Sequence, residues 1–129
     1  MDGHGRFCWN ELMTRDVEGV KAFYAAALGW RYDGMPMPDG TYWVIMGDGP
    51  KPIGGILDIS APVWEGVPAC WFAYVAVDDV DARVAAAERL GATIHKAPFD
   101  IPGVGRIAIV GQPDGAAIGW MTPVPELGN

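Results

Sequence analysis

Glu11 is the residue of this sequence best suited to acid–base chemistry. It follows Trp9 by two positions in an apolar segment, so both side chains share one face if the segment is a β-strand. Burial of a carboxylate among apolar side chains raises its pKa towards the range that a general acid or base needs. The alternative is a structural carboxylate at a strand end, bonded to backbone amides or to an arginine. Glu11 is therefore the candidate catalytic residue.

Two other polar side chains are candidates for ligand contact. Arg106 follows the turn GVG, and its guanidinium offers paired donors to an anionic or carbonyl group. Tyr74 carries a phenolic hydroxyl that can donate a hydrogen bond. The structural alternatives are a salt bridge at a strand start for Arg106 and a core position for Tyr74. His4, in a terminus expected to be disordered, and His95, on a strand, lack the spacing of metal ligands.

The aromatic residues are more numerous than a small core requires. The chain has six tryptophans in 129 residues. Both halves contribute aromatic side chains from predicted strands: Trp9, Trp43, Trp71, Phe72, Tyr74 and Trp120. Many of these belong to the core between helices and sheet. The set also predicts an aromatic cleft for a flat, apolar or cationic molecule, held by stacking and cation–π contacts.

The length and charge of the chain limit its organisation and partners. A chain of 129 residues is the size of one domain, and its net charge of −7 disfavours nucleic acid as a partner. The start lacks the pattern of a signal peptide, and no stretch approaches the roughly 20 apolar residues of a membrane span. Cys8 and Cys70 lie in apolar segments without C-x-x-C spacing. These features predict a cytoplasmic protein with no membrane partner and two reduced, buried cysteines.

An internal repeat organises the chain. Residues 8–30 align without a gap with residues 70–92. The identical pairs are Cys8 with Cys70, Trp9 with Trp71, Asp16 with Asp78, Ala25 with Ala87, Leu28 with Leu90, and Gly29 with Gly91. Each copy has a strand, an aspartate that caps a helix, an amphipathic helix and a glycine that ends it.

The apolar spacing of each helix predicts one buried face. The stripe of the first helix is Val17, Val20, Phe23, Tyr24, Ala27 and Leu28, and that of the second is Val80, Val84, Ala87 and Leu90. Strand-like runs follow each helix, at residues 30–35, 42–46 and 53–59, and at 92–97, 106–110 and 116–121. The chain is therefore predicted to be an α+β protein with two βαβββ modules, at 6–59 and 69–122, and a linker at 60–68.

These features resemble the vicinal oxygen chelate superfamily, which includes glyoxalase I, bleomycin-resistance proteins and extradiol dioxygenases. The resemblance rests on the paired modules, the FY pair at 23–24 before LGW at 28–30, and the segments VDDVDA and QPDGAAIGW. It covers about residues 6–122 and is strongest to a small glyoxalase-like subgroup. It implies curved mixed sheets around a cavity that Trp9 and Glu11 face, and a homodimer.

The resemblance also implies where a metal would bind. The four ligand positions of metal-dependent relatives fall at Trp9, Gly55, Phe72 (Trp71 if the register slips by one) and Gly119. Indole, phenyl and hydrogen cannot ligate a divalent cation. We therefore expect no metal and no other cofactor, which excludes metal-dependent lyase and dioxygenase activity. Gly55 and Gly119 are expected to leave space for the bulk of a ligand.

The sequence thus predicts a metal-independent, glyoxalase-like protein that binds a small apolar, aromatic or cationic molecule in an aromatic cleft. The alternative is a lyase or isomerase-type enzyme that uses Glu11 as general acid or base on a carbonyl-bearing metabolite. An accessory domain without a ligand is a third possibility. The candidate ligand-binding residues are Trp9, Trp43, Gly55, Phe72, Tyr74, Arg106, Gly119 and Trp120.

Overall fold

The structure is a computed structural model that describes residues 3–38 and 40–124. The first half contains β1 (Phe7–Thr14), α1 (Val17–Leu28), β2 (Arg31–Met37), β3 (Gly40–Met46) and β4 (Pro52–Asp58). The second half contains β5 (Cys70–Ala76), α2 (Val80–Arg89), β6 (Thr93–Ile101), β7 (Gly105–Gly111) and β8 (Ala117–Pro123). A short 3₁₀ turn, Pro62–Trp64, lies between the halves.

The element order confirms the predicted α+β fold with a βαβββ pattern in each half. The largest difference in length is at β6, which continues past Pro98 to Ile101, whereas the predicted strand ends at residue 97. The pairing of β6 with β7 shifts register twice, and these irregularities let the strand continue through a proline. Asp39, in the predicted turn between β2 and β3, lies outside the described residues.

The chain divides into two compact units. The first unit, Trp9–Phe72, has the strand order β2-β3-β4-β1, in which β1 and β4 are parallel and the other neighbours antiparallel. One face of this sheet packs against α1 through a core of three buried aliphatic residues: Leu12, Ile45 and Ile56. Because side chains alternate along a strand, the other face carries the neighbours of these residues, including Glu11 and Gly55.

The second unit comprises residues 3–8 and 73–124. Its sheet has the order β5-β8-β7-β6, with β5 and β8 parallel. Its core lies under α2 and consists of Val77, Val80, Val84, Ala87, Ala108 and Val110. Each unit therefore repeats one plan, in which a helix covers one face of a four-stranded sheet that has one parallel pair.

The caps of the two helices differ by one residue in the repeat. Asp16 caps α1 as predicted, because its carboxylate accepts a hydrogen bond from the Gly19 amide at 3.1 Å. In the second copy the cap is Asp79, which accepts from the Ala82 amide at 3.2 Å, so the prediction of Asp78 was wrong. The N-cap is the residue that immediately precedes the helix. Because α2 begins one position later than the alignment implies, this residue is Asp79.

Asp78 instead joins the N-terminal segment to α2. Its carboxylate pairs with the Arg83 guanidinium at 2.8 Å, which holds the pKa of Asp78 below its usual range. The amide of Asp78 donates to Nδ1 of His4 at 3.0 Å, and residues 5 and 6 exchange backbone hydrogen bonds with Ala76. The expectation that His4 is disordered was therefore wrong, because backbone pairing with β5 places it.

The predicted buried face of α1 is only partly present. Val17, Val20 and Tyr24 pack on the core of the first unit, but α1 has no fully buried residue. Phe23 is 61% exposed, and Leu28 is also exposed. In α2, by contrast, three of the four predicted residues are buried, and Leu90 beyond the helix end is 78% exposed. The stripe prediction is therefore correct for Val80, Val84 and Ala87 and wrong for Leu90. In α1 it is wrong for Phe23, Ala27 and Leu28.

The cysteines are free, but they are not buried as predicted. Cys8 is exposed and Cys70 is partly exposed. The apolar sequence around the two cysteines does not reveal this exposure. Neither helix of the described chain has the length and apolar character needed to cross a membrane.

The Asp16 cap gives a test of the local structure of α1. We expect Asp16→Ala to lower the free energy of unfolding by about 1 kcal/mol, because the Gly19 amide loses its partner. Urea denaturation measures this change. Glu18→Ala in the same helical turn is the matched control and should cost less, since Glu18 makes only an exposed pair with Lys21. Equal costs for the two variants would contradict the capping role.

Candidate functional site

A chain of hydrogen bonds on the first unit joins Trp9, Tyr42 and Glu11. The hydroxyl of Tyr42 donates to Oε2 of Glu11 at 2.8 Å, and Nε1 of Trp9 donates to that hydroxyl at 3.0 Å. Glu11 is 3% exposed and Tyr42 is 4% exposed, whereas Trp9 is partly exposed. The site therefore has a buried carboxylate, a buried phenol and an indole at its edge.

The strands bring these side chains together because of their alternation and register. Trp9 and Glu11 are two residues apart in β1 and share the face that points away from α1. The parallel pairing of β1 with β4 places Glu11 beside Gly55, and β3 places Val44 on the other side of Gly55. Tyr42 shares a face with Val44, so its side chain extends across Gly55 towards Glu11.

Gly55 is the residue that makes this contact possible. A β-carbon at Gly55 would overlap the hydroxyl and the ring of Tyr42. The place of the missing side chain is therefore filled by tyrosine, and the expectation that Gly55 leaves open space for a ligand was wrong. Glycine here serves close approach between a neighbouring ring and the strand backbone.

The direction of the hydrogen bonds follows from the chemistry of the three groups. An indole N–H can only donate, and a phenol has a single proton to donate. Because Trp9 donates to the Tyr42 oxygen, the Tyr42 proton is directed to Glu11. Oε2 of Glu11 is consequently an acceptor in this arrangement, and the carboxylate is held in one orientation. Such an acceptor can receive a cation, a hydrogen-bond donor or a proton from a ligand.

The surroundings of Tyr42 keep its hydroxyl protonated. Burial raises its pKa well above the ordinary value, and the negative charge of Glu11 raises it further. The hydrogen bond from Trp9 acts in the opposite direction, since it stabilises a phenolate. The net effect is a raised pKa, so Tyr42 remains a hydrogen-bond donor to Glu11 at neutral pH.

In the second unit, a tyrosine also fills the place of a glycine side chain. The strand register pairs Tyr74 with Gly119, and a β-carbon at Gly119 would overlap the Tyr74 ring. The expectation of open space at Gly119 was therefore also wrong. Tyr74 is fully buried, in agreement with the core alternative that the sequence left open.

Two members of the predicted aromatic set lie on the helix side of the sheet within their own units. Trp43 packs on the α1 side of its sheet, with the Lys21 ammonium 3.2 Å from the centroid of its ring. Trp120 packs on the core under α2. Trp43 lies on the opposite face from Glu11 in the first unit, and Trp120 lies on the opposite face from Tyr74 in the second. Their role in ligand binding stays a prediction. They belong to the helix–sheet interfaces, where large apolar area is buried.

Trp71 and Phe72 lie at the end of the first unit, in β5. Trp71 contacts the rings of Tyr24 and Trp30, each with 5.9 Å between ring centroids. These three rings lie on the α1 side of the sheet. Phe72 is partly buried and points to the opposite side of β5 from Trp71, because the two residues are adjacent in a strand.

Arg106 is engaged by two carboxylates. Its Nε and one terminal nitrogen donate to Asp81 at 2.7 and 3.1 Å, and the other terminal nitrogen donates to Asp100 at 3.2 Å. These ion pairs raise the pKa of Arg106 and lower that of Asp81. Arg106 is the second residue of β7, so the structure agrees with the alternative of a salt bridge at a strand start. A role for Arg106 as an anion clamp stays a prediction.

The residues present do not fit a metal centre. The four implied ligand positions hold Trp9, Gly55, Phe72 and Gly119, none of which has a donor atom for a cation. Within residues 3–38 and 40–124, no group of three or more His, Cys, Asp or Glu side chains converges to hold a metal ion. Glu11 is one carboxylate bonded to a phenol, which is a different arrangement from a metal cage.

Tyr42 is the site residue that sequence reasoning missed. Its signal was its place in the alternating strand GTYWVIM, where it lies on the face opposite to Trp43. The glycine beside Glu11 was the second signal, because a buried glycine in a strand marks the close approach of another group. Recognising both together requires the pairing of β3 with β4, which a single sequence does not supply.

Comparison with known proteins gives a consistent pattern. The sequence profile of the Glyoxalase/Bleomycin resistance protein/Dioxygenase superfamily matches residues 6–119. The putative glyoxylase CFP32 of Mycobacterium tuberculosis is 36% identical over 122 residues, which cover 95% of this chain and 46% of the relative. The anthracycline biosynthesis protein DnrV of Streptomyces peucetius is 31% identical over 135 residues, which cover 95% and 49%. The chain thus spans about half the length of these curated relatives.

A solved structure shows the same fold at low sequence identity. The crystal structure of methylmalonyl-CoA epimerase from Mycobacterium tuberculosis superposes with a TM-score of 0.65 and 18% identity. The superposition covers 95% of this chain and 90% of that protein. At this identity, the likeness concerns the fold.

Gly55→Ala tests the contact on which the site depends. We expect it to lower the free energy of unfolding by about 1–3 kcal/mol, because the added methyl group displaces the Tyr42 ring. Gly49→Ala is the matched control, since a β-carbon there meets nothing within 4 Å. Chemical denaturation of both variants measures the difference. A Gly55→Ala protein as stable as Gly49→Ala would contradict the close approach of Tyr42.

The raised pKa of Tyr42 predicts a loss of stability at alkaline pH. The unfolded tyrosine releases its proton near pH 10, whereas the folded residue retains it to higher pH. The stability that Tyr42 contributes is therefore complete below pH 10 and declines above it, by up to about 1.4 kcal/mol per pH unit. Thermal denaturation between pH 8 and about 11 should show a shallower decline in Tyr42→Phe than in wild type. Parallel declines would contradict the assignment.

Proposed function

Because the chain belongs to the Glyoxalase/Bleomycin resistance protein/Dioxygenase superfamily, we propose that it binds a small organic molecule without a metal. The proposed site is the face of the first unit that carries Trp9, Tyr42 and Glu11. The observation that carries the proposal is the hydrogen bond from the Tyr42 hydroxyl to the buried Glu11 carboxylate. This bond orients a buried acceptor before any ligand arrives, which lowers the cost of ordering it upon binding.

The chemistry of the site favours a ligand with two parts. Glu11 presents a carboxylate oxygen to a cationic group or a hydrogen-bond donor. Trp9, which is partly exposed at the edge of the site, offers an indole face to a flat apolar ring. The net charge of −7 attracts a cation and repels an anion at long range. We therefore place an aromatic molecule with a cationic or donor group first among ligands.

One relative supports this class of ligand by its name. DnrV is named an anthracycline biosynthesis protein, and anthracyclines are flat polycyclic compounds. A ligand of that shape matches the indole and carboxylate pairing proposed here.

Acid–base catalysis is the second candidate function. Glu11 would remove a proton from the carbon next to a carbonyl group, so that the C–H bond breaks and its electron pair forms an enolate. Return of the proton from Glu11 to a different atom of the delocalised enolate would complete an isomerisation without a further reagent. The observation that favours this candidate is the fixed orientation of the carboxylate by Tyr42. The fold is shared with an enzyme that is an epimerase by its name.

Localisation and assembly complete the proposal. We place the protein in the cytoplasm, in keeping with two cysteines that are free in the structure.

We propose that it works as a homodimer. The exposed apolar residues of α1 support this arrangement, because contiguous exposed apolar surface in a soluble protein marks an interface.

The two candidate functions are separated by one experiment. Purified protein is incubated with a metabolite extract, and bound and free compounds are identified by mass spectrometry. A compound retained unchanged by wild type supports binding, whereas one consumed with a matched new product supports the enzyme. We expect Glu11→Gln to lose retention or turnover by at least about tenfold, because the acceptor loses its charge.

A matched control separates the role of the site from that of overall charge. Glu65→Gln removes the same charge from an exposed position in the segment between β4 and β5. It should retain or convert the compound as wild type does. Equal loss in both variants, or full function in Glu11→Gln, would overturn the proposed role of Glu11.

A further inference from the structure

The first unit carries an exposed apolar surface, here termed the α1 patch. It consists of Phe23, Tyr24, Leu28, Trp30, Ile53 and Trp71. The Tyr24 ring contacts those of Phe23, Trp30 and Trp71, with centroid distances of 4.9, 4.8 and 5.9 Å. Ile53 lines a cleft with Trp30 and Trp71, and a second depression with Leu28 and Trp30. The six residues therefore form one continuous surface.

The composition of α1 indicates that this surface is built for contact. Residues 22–30, AFYAAALGW, contain no charged side chain, although 19% of the whole chain is charged. No residue of α1 is fully buried, so its apolar side chains are only partly used by the core. An amphipathic helix on a lone domain would carry polar side chains on its outer face. Here the outer face of the C-terminal half is alanine, phenylalanine and leucine.

The α1 patch has a shape that can fit a copy of itself. A cleft of about 460 Å³ opens between Trp30, Trp71 and Ile53. Phe23, 61% exposed, projects beside Tyr24, whose ring adjoins both tryptophans. A two-fold axis places the same patch on both sides of an interface, so that a projection of one copy meets a depression of the other. The patch carries both elements of such a self-complementary contact.

Area and charge favour a second copy over a small ligand. The exposed parts of Phe23, Leu28, Ile53 and Trp71 amount to roughly 400 Å², about half of what each partner buries in a standard dimer. A small molecule in the cleft would leave Phe23 and Leu28 uncovered. Two chains of charge −7 repel each other. Contact through an uncharged surface keeps the charged groups of the two chains apart, which reduces this repulsion.

We propose that the α1 patch is the homodimer interface of this protein, with Phe23 of each copy seated against the tryptophan cleft of the other. This inference rests on the homodimer of the proposed function and names its surface. The interface uses the helix side of the sheet, opposite to Trp9, Tyr42 and Glu11. It leaves the proposed ligand site outside the contact.

Light scattering of the purified protein tests the surface directly. Wild type should have twice the chain mass of 13.8 kDa at micromolar concentration. We expect Phe23→Glu to weaken dimerisation by at least about tenfold, because it places a charge in the apolar contact. Leu28→Glu should act in the same direction, and it keeps the test valid if either variant fails to fold. Circular dichroism verifies that each variant retains its helices and strands.

Leu90→Glu is the matched control, since Leu90 is 78% exposed and lies at the end of α2 in the second unit. It should dimerise like wild type. Dimers of unchanged affinity in folded Phe23→Glu and Leu28→Glu would overturn the α1 patch as the interface while the homodimer stands. A monomeric wild type would overturn both. A monomer whose tryptophan fluorescence is quenched by a planar apolar dye would assign the cleft to a small molecule instead.

Discussion

A buried carboxylate requires hydrogen bonds, and the strand pairing of the first unit brings a donor to Glu11. Glu11 receives one of them from Tyr42, whose hydroxyl reaches it only because Gly55 has no side chain. Gly55 lies beside Glu11 because β1 and β4 are parallel in one register. Trp9 then determines which way the Tyr42 proton points. The candidate site and the integrity of this sheet thus depend on the same four residues.

The two units have the same arrangement of strands and helix, but the tyrosine that packs against the glycine of the last strand comes from a different strand in each. Each has a glycine on its last strand, and in each a tyrosine ring takes the place of the missing side chain. In the first unit that ring comes from β3 and ends on a carboxylate. In the second it is Tyr74, from the neighbouring strand β5. The repeat aligns Ala73 with Glu11, so the second unit has no carboxylate at this position.

The two helices show a corresponding division of roles. α2 buries Val80, Val84 and Ala87 on its sheet, and two surface ion pairs tie its first turn to Arg106 and hold Asp78 against Arg83. α1 keeps its apolar side chains only partly covered. Burial of apolar area is the main source of folding stability. Another surface that covered the exposed side chains of α1 would therefore stabilise the protein further. Association of two chains through α1 would therefore form the dimer and also stabilise each chain.

Local patterns in the sequence were enough for the repeat, the strand order along the chain, the Asp16 cap and the placement of Trp9 and Glu11 on one face of a strand. These depend on periodicity and on interactions between residues close in sequence. Tertiary structure alone decided that Tyr42 is the partner of Glu11, that Trp43 and Trp120 lie under helices, and that Arg106 is engaged by Asp81 and Asp100. The physical reason is that strand register determines which side chains meet across a sheet, and register is set by pairing between distant segments.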